Sequence, residues 1–202
     1  MRQVADKAQA FCGSAAEVSG CALATPVLKT QAMNETAHPL LRSLRLTGQP
    51  VTRADAPFYA ELFSKPEVVA FRPDPTPLDR AACETRLEFD VAHWQAHGFG
   101  RWGLHHAGHP VGLGGLTLRE GFDGLNLSYH LLPAQWGLGL ASEFVTAALD
   151  YAALTRPQKS IFGLVRPLNA PSIRVLEKAG FKEVRRFEDK GAPMLEMRLE
   201  LR

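Results

Sequence analysis

Residues 133–143 read Pro-Ala-Gln-Trp-Gly-Leu-Gly-Leu-Ala-Ser-Glu, and they join a strand-like run, 125–132, to an apolar run with helical spacing, 140–155. A strand entering a helix through two glycines leaves the first helical N–H groups without intrahelical partners, pointing outward with partial positive charge. Gly137 and Gly139 carry no side-chain bulk, so the backbone can approach a ligand there, and such a turn suits a phosphate. The same residues also serve as a plain tight connection, so the turn alone leaves both readings open. Its spacing fits neither common nucleotide motif. A dinucleotide fingerprint wants Gly or Ala where Ser142 stands and lies early in a βαβ unit, and a P-loop ends in Gly-Lys-Ser/Thr, with no Lys available here.

The flanking pattern sets the fold around this turn. Leu44, Arg45 and Leu46 alternate as an edge strand does, and Thr52 with Asp55 reads as a capped helix start running to about Phe63. Pro66, Pro73, Pro75 and Pro77 predict a stiff loop, after which 77–97 resumes as an amphipathic helix, with Leu87, Val91 and Trp94 on one face and Gly98 as its stop. Three strands follow at 100–106, 111–119 and 125–132, separated by turn residues, which makes an antiparallel meander. After the 140–155 helix come a strand at 160–165 without polar alternation, expected to be central, a helix at 169–178, and strands at 181–187 and 195–201. The order β-α-α-β-β-β-α-β-α-β-β predicts an α/β (α+β) fold: a mixed, mostly antiparallel central sheet with helices on both faces. Residues 1–39, rich in Ala, Ser, Gly and Thr without a sustained period, are expected to form a flexible extension before a single domain at 40–202, with Met33 an alternative translation start.

Charge and cysteine content exclude several functions. Twenty-three Lys plus Arg against twenty-one Asp plus Glu leave +2 over 202 residues, which provides no basic footprint for nucleic acid. No apolar stretch approaches the ~20 residues of a membrane span. Cys12, Cys21 and Cys83 form no CxxC pair, so neither a zinc ribbon nor a disulfide framework is expected, and a reducing cytoplasm fits best. His93 and His97 lie four apart on a helix, but the residue after His93 is Trp94 rather than Glu, and neighbouring His105 and His106 would face opposite sides of a strand. No metal site is expected.

Three stretches taken together, Ser128-Tyr129-His130-Leu131-Leu132-Pro133, the Trp-Gly-x-Gly-x-Ala-x-Glu turn, and Asn169 to Phe181 (Asn-Ala-Pro-Ser-Ile-Arg-Val-Leu-Glu-Lys-Ala-Gly-Phe), closely resemble the GCN5-related N-acetyltransferases, and most of all their ribosomal-protein alanine acetyltransferase (RimJ/RimL-type) branch. The resemblance covers about Leu41 to the C-terminus. It implies acetyl-CoA as acyl donor, with the backbone of Gly137, Leu138, Gly139, Leu140 and Ala141 around the pyrophosphate and Ser142 adding a hydroxyl. Trp136 stands where Gln or Arg is usual. The resemblance further places the pantetheine arm along Tyr129, His130, Leu131 and Leu132, with Asn169 and Ser172 as side-chain contacts, although either could simply cap its helix. The acceptor implied is a primary amine, a small molecule or a protein N-terminal α-amine, served by a monomer or homodimer, with no nucleic acid or membrane partner.

Two positions depart from the family pattern. Leu176 stands where a Tyr often protonates the departing thiolate, and Leu125 stands about where a Glu often serves as base. Acetyl transfer needs a neutral amine, and a primary amine with a pKa near ~10 is mostly protonated at pH 7. Tyr129, on the same strand face as Leu125, is the catalytic candidate, with Glu120 and His130 behind it. The departures leave room for a second class of function, an acyl-CoA-binding sensor without turnover, and the turn alone for a third, a nucleotide-binding domain.

Overall fold

The computed structural model describes residues 40–72, 74–158 and 160–201. The expected 1–39 extension and the Met33 start lie outside the described residues.

The described residues open with a short hairpin, β1 (Leu41–Arg42) and β2 (Leu46–Pro50). The Ser43 hydroxyl closes its turn by accepting from the Leu46 N–H at 3.0 Å, which leaves Leu44 in solvent and starts β2 two residues later than the alternation of Leu44 and Leu46 predicts. Thr52 and Asp55 form the expected capping box, and a 3-10 turn leads into α1 (Ala56–Phe63). The proline-rich stretch is not all loop. Pro66 occupies the first turn of a four-residue helix, α2 (Pro66–Val69), where its missing N–H costs nothing. Helix α3 (Arg80–His97) begins three residues later than predicted because Asp79 is the N-cap, its carboxylate accepting from the Ala82 N–H.

Strands β3 (Arg101–His106), β4 (His109–Thr117) and β5 (Leu125–Leu131) form the meander. Its first turn is only Ala107 and Gly108, both at positive φ, so His109 and Pro110 belong to the ladder, opposite His106 and His105. Then come α4 (Leu140–Thr155), β6 (Ser160–Val165), α5 (Ala170–Lys178), β7 (Lys182–Asp189) and β8 (Ala192–Glu200).

The eight strands form one sheet in the order β1-β2-β3-β4-β5-β6-β8-β7, antiparallel except between β5 and β6. As predicted, β6 is interior and almost wholly buried. The β5–β6 pairing defines the molecule. Only Leu125 with Ile161 and Asn126 with Phe162 are paired, whereas β5 stays on β4 as far as Leu131 and β6 stays on β8 as far as Val165. The two strands therefore diverge after Asn126, and the edge of β5 facing β6 loses its partner strand.

Helices cover both faces. Neighbouring residues of one strand point to opposite sides. On β5, Tyr129 meets Phe144 of α4 while His130 meets Phe63 of α1. On β3, Arg101 reaches Asp90 of α3 while Trp102 meets Tyr151 of α4. Gly114 of β4 is what admits α4 this closely: a Cβ there would lie 2.5 Å from the Phe144 ring.

Candidate active site

The divergence of β5 and β6 opens a cavity of about 350 Å³. Its walls are the Tyr129–Leu131 end of β5, the glycine turn with the first turn of α4, the first turn of α5, and Glu67, Val68 and Phe71 from around α2. Tyr129, His130, Leu131, Trp136, Gly137 and Gly139 all line it, as do Leu140, Ala141, Ser142, Asn169 and Ser172. Leu132 and Leu138 are not on its wall. The Leu132 N–H is already donated to the Val111 carbonyl, and the Leu138 carbonyl accepts from Arg45 Nη1 at 3.0 Å.

Gly137 and Gly139 have φ of 75° and 80°, values at which a Cβ is strained. Gly139 is the N-cap of α4, and no side chain caps this helix. Its first intrahelical bond here is from Glu143 N–H to Gly139 O, so the amides of Leu140, Ala141 and Ser142 precede any intrahelical acceptor. Helix α5 differs, because the Asn169 side-chain oxygen accepts from the Ser172 N–H at 3.2 Å. Asn169 is therefore a cap in this geometry, and its amide nitrogen is the group left to donate to a ligand.

Arg45 and Glu143 hold the turn in place. Glu143 accepts from the Ser43 hydroxyl at 2.7 Å, from the Arg45 N–H at 2.6 Å and from Arg45 Nε at 2.7 Å, while the same guanidinium holds the Leu138 carbonyl. Burial alone would raise the Glu143 carboxyl, but the Ser43 and Arg45 donors outweigh it and bring it down to about 2. This brace reaches 98 residues along the chain, and no local pattern announces it. Trp136 is likewise committed, its indole N–H donating to the Leu131 carbonyl at 2.9 Å.

The Tyr129 phenol oxygen is buried with no hydrogen-bond partner. Burial raises its pKa, and the nearby Ser172 hydroxyl offsets this only in part. Tyr129 is thus held as a proton donor at neutral pH. His130 is neutral there, lowered well below the usual imidazole value by burial and then by Arg86, Arg101 and Arg72. Glu120 is exposed beyond the end of β4 and does not line the cavity. Leu125 and Leu176 sit in the core, so neither position offers an ionisable group.

The histidines have structural work. His93 Nε2 accepts from the Leu118 N–H at 3.0 Å, which leaves Nδ1 as the donor to the Phe99 carbonyl at 2.8 Å. Among the described residues, no three His, Cys, Asp or Glu side chains gather as a metal site.

The family model for the acetyltransferase (GNAT) domain matches residues 45–182. The chain belongs to the GNAT acetyltransferase family and is an acetyltransferase of that family. Solved structures share the fold. An acetyltransferase from Agrobacterium tumefaciens superimposes with a TM-score of 0.69 at 26% identity, over 80% of this chain and 94% of its own. The RimJ protein of Mycobacterium smegmatis, solved with CoA-disulfide, has a TM-score of 0.68 at 20% identity over 81% and 88%. Spermidine N-acetyltransferase from Vibrio cholerae, solved with CoA and spermine, has a TM-score of 0.64 at 18% identity over 77% and 95%.

Proposed function

We propose that this chain transfers the acetyl group of acetyl-CoA to a primary amine by direct attack within a ternary complex. The observation that carries the reading is the cleft: β5 leaves β6 after Asn126, and the uncapped first turn of α4, with two glycines at positive φ, closes one end of it. That end suits the diphosphate, held by the amides of Gly137 and of residues 139–142 and the Ser142 hydroxyl without a basic patch. The unpaired edge of β5 suits the amide groups of the pantetheine arm.

The neutral amine nitrogen attacks the thioester carbon, the C–S bond breaks, the nitrogen gives up a proton to solvent as the amide forms, and the departing thiolate takes a proton from a donor that solvent then reprotonates. Tyr129 is the donor we assign, since its phenol is protonated, unpartnered and on the cavity wall, while Leu176 is apolar. The acceptor class of the branch the sequence resembles is a protein N-terminal α-amine. Work in the reducing cytoplasm agrees with Cys83 being a free buried thiol.

Burial of Leu125 and Leu176 favours one second reading, a sensor that binds acyl-CoA without turnover. Thiol release measured with acetyl-CoA and a panel of amines separates the two. Amine-dependent CoA release is expected; tight acetyl-CoA binding with no release on any amine would transfer the assignment to the sensor.

A further inference from the structure

Behind His130, between the sheet and helices α1 and α3, lies a group of buried polar atoms that the acetyl-transfer reading does not use. Arg101 is 7% exposed; its Nε meets Asp90 Oδ1 at 3.1 Å, but its Nη1 has no partner. The other Asp90 oxygen is taken by the Tyr59 hydroxyl at 2.8 Å. Arg86 Nε and Arg72 Nη1 are also buried without partners, and so are Ser128 Oγ and His130 Nδ1.

These atoms share one face. Arg101 pairs with Gly115 and Gly115 with Ser128, so all three point the same way, and His130 lies two residues beyond Ser128 on the same side. Gly115 is the gap in that row: a Cβ there would come within 2.9 Å of Arg101 Cγ, so the arginine lies across it. Above, the Phe63 ring is flanked by the Arg86 guanidinium at 5.0 Å and by the His130 ring at 5.2 Å. Three guanidinium groups thus act on His130, and Asp90, already held by Arg101 and Tyr59, is the carboxylate that acts on Arg86. A buried donor without a partner is costly to the fold, and more so when it is charged. The cluster adjoins the cavity, since His130 and Phe71, the neighbour of Arg72, both line it.

Resting on the acetyltransferase reading above, we propose that the acceptor is a primary amine that also carries a carboxylate, and that Arg72, Arg86 and Arg101, with Ser128, receive that carboxylate. A carboxylate has two oxygens able to accept from the arginine forks, which matches what the cluster lacks. The electrostatics agree. Arg86 is drawn down to about 10 by burial and then by Arg101, and His130 is depressed, as groups facing uncompensated positive charge are.

The test compares ω-amino acids of increasing length, from glycine to 5-aminopentanoate, with their primary amides. A second arm uses tripeptides with Asp or Asn at the second residue, to tell a free amino acid from a peptide side chain. Phosphoethanolamine is the anion control. The acid is expected to exceed its amide at least tenfold in kcat/KM for one chain length or for the Asp peptide, and Arg86→Met to reduce that ratio to about two or below. Because Arg86 is buried, Arg72→Gln, next to the surface loop, is the parallel variant and should reduce the ratio several-fold. Addition of the preferred acid should also raise the His130 imidazole pKa by NMR. Equal rates on acids and amides, or a preference for phosphoethanolamine, would overturn the proposal while leaving acetyl transfer intact. No release with any amine would overturn both.

Discussion

Tyr129 is where the chemistry of single residues is most exposed to test. A phenol kept protonated cannot serve as base, but it can donate to the thiolate. Tyr129→Phe should therefore lower kcat by about 100-fold, the lower range for a positioned acid. The KM for acetyl-CoA should change little, because the cofactor contacts proposed above are chiefly backbone amides, and stopped assays of thiol release would show both. The pH profile carries a second expectation. His130 is neutral above its depressed pKa and Tyr129 is raised by burial, so neither titrates between pH 6.5 and 9. The kcat/KM should then rise through that range with the free-base fraction of the amine, and an inflection near 6.5 independent of the amine would count against it. That Tyr129 shares a strand face with Leu125 is legible from alternation. That its hydroxyl is buried without a partner is not legible there, because it depends on where the distant helix α5 is placed.

Among the elements, the glycine turn and the hairpin that braces it form one device. Glu143 has its pKa depressed to about 2 in the folded chain against about 4.5 unperturbed. A depressed acid contributes stability that is present above the unperturbed value and lost as pH falls through the folded one. Glu143→Gln should thus lower Tm at pH 7, by an amount corresponding to about 1 kcal/mol since the Arg45 arm is solvent-screened, with the difference closing between pH 4.5 and 2. Thermal melts across pH would reveal it. Gly139→Ala probes the same turn from its backbone: at φ 80° a Cβ costs about 1 kcal/mol, and the displaced amides should raise the KM for acetyl-CoA several-fold with little change in kcat. Local signals described these elements well where they were local. Gly98, Thr52 with Asp55, and the 140–155 helix were legible because each is fixed by its own few residues. The β1–β2 hairpin and the two-residue turn at Ala107 were not, because a distant strand partner or a φ sign decides them, and the helix at Pro66 was not, because a proline read as a breaker is equally suited to a first helical turn. The Arg45–Glu143 brace joins two elements that no sequence period relates.

At the scale of the whole molecule, the order of the strands is what the proposed ternary complex rests on. The only parallel contact in the sheet is also its weak seam, and the cavity at that seam is walled on one side by the turn and α5 and on another by α2 and His130. Donor and acceptor can therefore lie in one cleft together. The alternative, an acyl-enzyme carried on cysteine, meets a structural obstacle. Cys83 is 2% exposed beneath α1, its Sγ facing the Tyr59 and Leu78 carbonyls at 3.7 and 4.0 Å, and burial raises its pKa, so it is a poor thiolate and out of reach of the cavity wall. Initial-velocity lines for acetyl-CoA against amine should intersect, and Cys83→Ala should retain kcat within about twofold. It should give up only the packing of one small sulfur, with a Tm loss of a few degrees. Parallel lines, or loss of turnover in a Cys83→Ala protein that remains folded, would require an acyl-enzyme and a cleft that fills in two separate visits.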